Sequence, residues 1–573
     1  MDDSNWPIDD MNLLYLPAEL PWPQWYAFAV YQPLVDVNLG EEYNQGVIQF
    51  LPGLAQNWTI NSQDTVYNLS LRQNVNFSNG DPLNAYQVWM EFYGDYYLEA
   101  NSTSWLESYD LFNMTGVNFG PATVTQINDS GGLLTPNAQA LAIMDNSSWP
   151  IYASGPYNIV FHLQSPFSYF LGILVAYSGM AFDTQFVLDH GGFGTPTQIN
   201  SYFNQHAIPG SGPYVLSGYS EDSYMTFTQN PNYWGDSLTP AQIAANVVLD
   251  PGHAKTVTIW YKPDDLSRYT DLSTGAAQLV AIQSQDWNLI LANPNEYSYI
   301  TNPPYTAQII AIPLNVNEYP TNITDIRQAI VHAINYTDID DSVFFGQMTP
   351  GMGPEYPAWS QFYDLGNYTP YQYNLTEAQM YINESGVNVA SLPTLTFTAI
   401  SSCVYCSEIG QIVQADLANI GLNVNVEELA SSNYYAPYGT YSTNVQNANE
   451  MGQMSILGGE VWAPGALTPA DYWIGFVNNA SLWGNWAGYA NPTVQTCVNS
   501  FTSSTNTSYI QQLCTAAQGQ IYNDAPYAWV GFPKLWYASG SFVWKTGVVK
   551  NFYLDPVWNG MTTTPIFNTV TFG

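Results

Sequence analysis

The sequence predicts a mixed α/β protein of two or three lobes, and three observations carry that expectation. At 573 residues, 46% of them apolar, the chain exceeds what one hydrophobic core serves and can bury more than one. Apolar positions alternating on either side of a polar turn mark paired strands within residues 57–78. Helical periodicity that runs through Gly421 into a second apolar stretch marks a helix followed by a strand at 408–426.

In chain order, Trp58 and Ile60 alternate in the first arm of the hairpin. Tyr67, Leu69 and Leu71 alternate in the second, which is expected to continue through Arg72 to Val75. The run Ser78 to Pro82 then reads as a turn. Asn84 is placed to cap a helix whose apolar face is Ala85, Val88, Trp89 and Phe92. Asp325 to Val331 and Glu408 to Leu417 carry helical periodicity, the second leading into a strand at Leu422 to Val426. Neither an internal repeat nor a low-complexity linker separates independent domains.

Charge narrows the function classes. Only Arg72, Lys255, Lys262, Arg268, Arg327, Lys534, Lys545 and Lys550 oppose 46 Asp and Glu, for a formal charge of −38. Nucleic acid is thereby excluded as a partner. With ordinary carboxyl pKa values, roughly 4 carboxylates stay ionised at pH 3 and the net charge becomes about +9. A surface kept polar by Asn, Gln, Ser, Thr and Tyr does not titrate in acid, so the chain reads as a protein exposed to an acidic medium. A halophile's acidic coat carries far more charge than the 9% found here.

Asn-x-Ser/Thr sequons recur at Asn57, Asn68, Asn76, Asn101, Asn113, Asn128, Asn146, Asn322, Asn335, Asn367, Asn374, Asn383, Asn479 and Asn506, which favours a glycosylated extracellular protein. Cys403, Cys406, Cys497 and Cys514 admit a zinc site, a redox pair or two local disulfides. The second pair is too widely spaced for a zinc knuckle, and no basic neighbour activates the first as a redox pair. Outside the cell, disulfides 403–406 and 497–514 are the favoured reading. The longest apolar run, around Phe170 to Tyr177, falls far short of the roughly 20 residues that cross a bilayer. Met1 is not followed by a basic and then an apolar region, so any leader or membrane tether is expected outside this sequence.

Five blocks, in order, resemble family 5 of the extracellular solute-binding proteins, the dipeptide and oligopeptide receptors of ABC importers. Tyr31 to Val35 and Leu54 to Trp58 are similar to the family's "YEPLV" and "LAESW". Leu71 to Val88 is similar to its "LRkgVkFhdGtplTAeDV". Pro209 to Tyr214 with Asn230 to Trp234 is similar to "GTGPY" and "rNpdYW", and Asp325 to Asn335 to its "RqAi" helix. The resemblance implies a two-lobed periplasmic-binding-protein-like α/β fold of type II with an additional inserted α/β domain. Carried over, lobe I is 1–50, 205–306 and 533–573, the inserted domain 51–204, and lobe II 307–532. Arg72, Arg268 and Arg327 sit in or beside these blocks and are read as structural arginines that pair with carboxylates and carbonyls. With the acid-tolerant charge balance beside the resemblance, an acidophilic archaeon is the expected source.

An enzyme is not expected: His162, His190, His206, His253 and His332 are scattered, and no GxSxG, HExxH or P-loop occurs. No cofactor or metal is expected either. The cluster Asp338, Asp340 and Asp341 lacks the glycine and glutamate of a calcium loop and reads as the start of a helix. Binding in the family resembles β-augmentation, an extended peptide pairing with strands of both lobes. The resemblance places Glu19, Pro21 and Trp22 on one wall and Gly458, Gly459, Glu460 and Trp462 on the other, with Asp471 further on. Where the family commonly has an aspartate for the peptide's free amine, this chain has Trp462. That departure tells against a free-amine dipeptide site; the resemblance still implies short peptides as the ligand, with an oligosaccharide as the alternative because 19 Trp and 44 Tyr suit sugar stacking. A monomer working with an ABC permease at the cell surface is expected; a glycosylated surface-layer or adhesion protein is the reading from another class.

Overall fold

The structure, a computed structural model, describes residues 1–3, 12–14, 27, 29–39, 48–98, 111–175, 179–282, 286–300, 309–355, 357–363, 368–401, 403–430, 433–434, 452–457, 468–470, 473, 477, 485–534, 541–555 and 564–573. Among the described residues four larger sheets form. The longest has seven strands in the order Tyr214–Ser220, Tyr224–Gln229, Thr256–Tyr261, Asp2–Asp3, Val280–Ile282, Ser541–Lys545 and Tyr297–Tyr299. The N-terminal strand enters its middle, parallel to both neighbours. One sheet thus gathers the start, the middle and the end of the chain.

The predicted hairpin forms at Ala55–Ile60 and Val66–Leu71, and the strands Asn158–His162 and Ile151–Ala153 extend it to four. Two details differ from expectation. The second strand stops at Leu71 instead of running on to Val75, because Asn74 takes a left-handed φ of 63° that no strand accommodates. Ile60 lies near the turn, 41% exposed, so its alternation with Trp58 does not deliver it to the core. The Asn84 side chain accepts from the N–H groups of Tyr86 and Gln87 and opens the helix Ala85–Leu98 as expected. That helix lies on the sheet, Trp89 Nε1 and the Tyr93 hydroxyl both donating to the Ile151 carbonyl.

The expected helix–strand unit is also present and complete. Strand Leu395–Ile400, helix Val404–Ala418 and strand Val424–Leu429 form a parallel crossover, and Met454–Ser455 pairs parallel on the other side. Gly410 allows the helix to settle on the sheet: a Cβ there would stand 2.9 Å from the Phe397 ring. A fourth sheet has Tyr527–Pro533 between Ile310–Pro313 and Met348–Pro350, all antiparallel. The helix over Asp325 to Val331 spans Thr324–Ala333.

Both disulfides are formed. Cys403–Cys406 sits at the start of the helix Val404–Ala418, and Cys497–Cys514 ties Pro492–Ser500 to Thr507–Asp524. Asn57, Asn68, Asn113, Asn128, Asn322, Asn374, Asn383 and Asn506 are exposed, while Asn76, Asn146 and Asn335 are half-buried. Asn101, Asn367 and Asn479 lie outside the described residues. Asn335, Asn374 and Asn506 cap helices through the side-chain oxygen; a glycan would attach at the amide nitrogen, which in Asn374 also donates to Glu377 Oε2 at 3.2 Å.

Candidate functional site

Met454–Ser455 is the strand that leads toward the expected second wall. It is held on one side by Phe397 and Thr398. On the other, Leu314 bridges Met454 and Asn315 N–H donates to the Gln453 carbonyl at 3.0 Å. Just beyond it the Tyr434 hydroxyl donates to the Ile456 carbonyl at 2.5 Å, and Leu457 is fully buried. Gly458 is the next residue in sequence. In open α/β sheets ligands bind in the crevice outside the carboxyl ends of parallel strands, and this strand has such an end. Gly458, Gly459, Glu460, Trp462 and Asp471 themselves lie outside the described residues, as do Glu19, Pro21 and Trp22.

The blocks around Tyr31, Gly210 and Trp234 form a scaffold. A Cβ on Gly210 would stand 2.1 Å from the Val30 carbonyl oxygen, and one on Gly212 2.8 Å from it, so both glycines permit contact between two backbones. Asn230 closes the turn, its amide donating to the Gly212 carbonyl and its N–H to Pro213. Trp234 Nε1 donates to Gln32 Oε1 at 2.9 Å. The Arg72 guanidinium lies 4.6 Å from the centre of that indole and donates from Nε to the Gly53 carbonyl. Gly210→Ala is accordingly expected to destabilise the fold by about 2–3 kcal/mol, since two backbones must part. Denaturant unfolding checks this, with Gly80→Ala, which meets open space but strains a positive φ of 99°, as the comparison.

The other two arginines are structural as well. Arg268 is buried, pairing with Asp265 and donating to the Ala281 carbonyl. Arg327 donates to the Asp524 and Thr321 carbonyls at 2.8 and 2.7 Å. The acidic cluster opens the helix Tyr336–Val343, whose cap is Asn335. Every histidine is engaged locally. His190 and His206 stack on Tyr202, His332 stacks on Tyr381, His253 meets Asp250, and His162 abuts Tyr152.

Residues 49–481 match the model of the bacterial extracellular solute-binding proteins, family 5. The chain belongs to that family. This solute-binding protein is 22% identical over 450 residues to the nickel-binding periplasmic protein of Escherichia coli K12, covering 75% of this chain and 71% of that one. It is 23% identical over 397 residues to di/tripeptide-binding protein 2 of Pseudomonas aeruginosa, covering 67% and 64%. Its fold is similar to that of the periplasmic binding protein DppA from Helicobacter pylori in complex with the peptide STSA, with a TM-score of 0.67, 18% identity, and 100% and 96% of the two chains covered. The α/β fold is thus that of the type II binding proteins, and the family is one of binding proteins, not enzymes. Among the described residues no helix is long and apolar enough to cross a membrane.

The sequence reading of this solute-binding protein did not single out its buried carboxyls. Asp36 sits in the strand Val35–Val37, 2% exposed, with the Asn246 amide at 2.7 Å. Burial pushes its pKa up to about 7, against the hydrogen bond from Asn246 and the nearby Arg72 charge. Asp183, fully buried, accepts from Phe186 N–H and Asn79 and is raised to about 6, chiefly by burial and then also by Asp81. Glu91 is raised well above the usual carboxyl range by burial and by Asp95 one turn on. Elsewhere neutral donors meet carboxylates, as Tyr489, Asn491 and Gln520 all do at Asp524 Oδ2. A carboxyl between valines was the one local signal for Asp36.

Proposed function

We propose that this protein captures short peptides in a cleft between two lobes and hands them to the permease of an ABC importer. Lobe I is 1–50, 205–306 and 533–573, with 51–204 inserted and 307–532 as lobe II. The seven-stranded sheet supports this division, because its strands come from the three lobe I stretches alone, as the four-stranded sheet draws on 51–204 alone. The observation that carries the peptide reading is the pinned strand Met454–Ser455, which leads in sequence to Gly458-Gly459, a pair of residues that lets a ligand backbone come close. The local engagement of every histidine favours a peptide over a metal held by imidazoles. The sequons and the buried, proton-holding carboxyls support a glycosylated cell-surface protein working in acid, as in an acidophilic archaeon.

Mass spectrometry of the small molecules that co-purify with the protein tests the ligand directly: short peptides are expected, and a bound glycan or nickel chelate would replace the reading. Closure is tested in solution. Each lobe offers only half of the pairing surface, so a pancreatic casein digest is expected to lower the radius of gyration of a monomer. An unchanged value with digest peptides bound would count against a closing cleft.

A further inference from the structure

We propose that Tyr169 sets ligand affinity without touching ligand, as a ring on the inserted domain that docks into an aromatic socket of lobe II and holds the two together in the closed form. The inference rests on the lobe division proposed above. Tyr169 is rooted on its own side by its neighbours. Phe170 lies 4.8 Å from Tyr67 and 5.1 Å from Phe161, in the core of the four-stranded sheet. The Tyr67 hydroxyl donates to the Phe167 carbonyl, and Ser168 Oγ donates to Asp64. The Tyr169 ring instead meets Trp359 at 5.7 Å, Phe362 at 6.3 Å and Phe501 at 6.1 Å between ring centres, each edge to face.

Those three rings belong to the other side of the molecule. Trp359 and Phe362 lie on the helical turns 357–363, and Phe501 ends the helix Pro492–Ser500, which the Cys497–Cys514 disulfide fastens to Thr507–Asp524. Phe362 also packs on Phe501 at 5.5 Å, so two of the socket's rings support each other. With Tyr169 in place all four rings are buried, Tyr169 at 7% and Trp359 at 8% exposure being the most open. Parting the two sides would put these faces into water, and that penalty favours closure.

Because apparent affinity scales with the population of the binding-competent form, a latch changes binding from a distance. An edge-to-face pair shifts an equilibrium by about two- to tenfold, so loss of the three together is expected to weaken binding about tenfold or more, mainly through faster release. Tyr169→Phe keeps the ring and is expected to behave as the parent.

Two readouts test the latch. Small-angle scattering without ligand is expected to show a larger radius of gyration for Tyr169→Ala and for Trp359→Ala, but a parental value for Tyr169→Phe. Stopped-flow release of casein-digest peptides is expected to be about tenfold faster in Tyr169→Ala, about two- to tenfold faster in Trp359→Ala, and no faster in the double variant than in Tyr169→Ala alone. A parental scattering curve from folded Tyr169→Ala, or fully additive effects of the two substitutions, would overturn the proposal; a purely structural role lowers the melting temperature and leaves scattering unchanged. If the parent ignores the digest, the peptide reading fails while the scattering comparison still decides the latch.

Discussion

The melting temperature of this protein is expected to fall as pH rises from 4 to 7. Asp36 titrates near 7 and Asp183 near 6 in the fold, against about 3.9 in the unfolded chain, because burial disfavours their charged forms. A carboxyl raised by folding contributes stability that is complete below its unfolded pKa and is lost as pH climbs through its folded pKa. For these two groups the window is therefore about 4 to 7. At about 1.4 kcal/mol per unit, Asp36 is worth about 4 kcal/mol at most and Asp183 about 3. Glu91 acts in the same direction. Surface carboxylates that ionise without bases to meet them add repulsion of the same sign. Thermal melts from pH 3 to 8 check the sign, and Asp36→Asn, which keeps the shape without the charge, is expected to flatten the fall. A stability optimum at pH 7 would overturn this account.

Trp462→Ala is expected to weaken binding of many different peptides by a similar factor of about ten, since an indole covering the ligand backbone reads no side chain. The residue is proposed as part of the second wall, following the glycine pair at 458–459. A sugar ligand would respond differently: ring stacking would be a principal contact, and binding would be nearly abolished. Glu460→Gln separates a charge role from a neutral one, because only peptides with a free amine would lose affinity. Calorimetry of both variants against a peptide library and a glycan panel distinguishes these outcomes. Parental affinity in both variants would remove this segment from the cleft.

The amino-acid sequence by itself determined the parts of this protein that depend on near neighbours. The hairpin at 55–71, the helix opened by Asn84 and the crossover 395–429 follow from periodicities and caps a few residues long. The two disulfides join cysteines 3 and 17 positions apart, so their pairing was within reach of spacing as well. The arginine blocks were legible for the same reason, though not the carbonyls they meet. Tertiary structure alone decided burial. Asp36 is desolvated by packing and bonded to Asn246, 210 positions away. Gly210 is required by Val30, and Tyr169 finds its socket at Trp359 and Phe501. Even the hairpin shows the limit, since Ile60 alternates correctly yet lies beyond the region that other elements cover. Local pattern fixes which way a side chain points, but desolvation, and with it pKa and long-range ring contact, depends on what distant chain arrives to cover it.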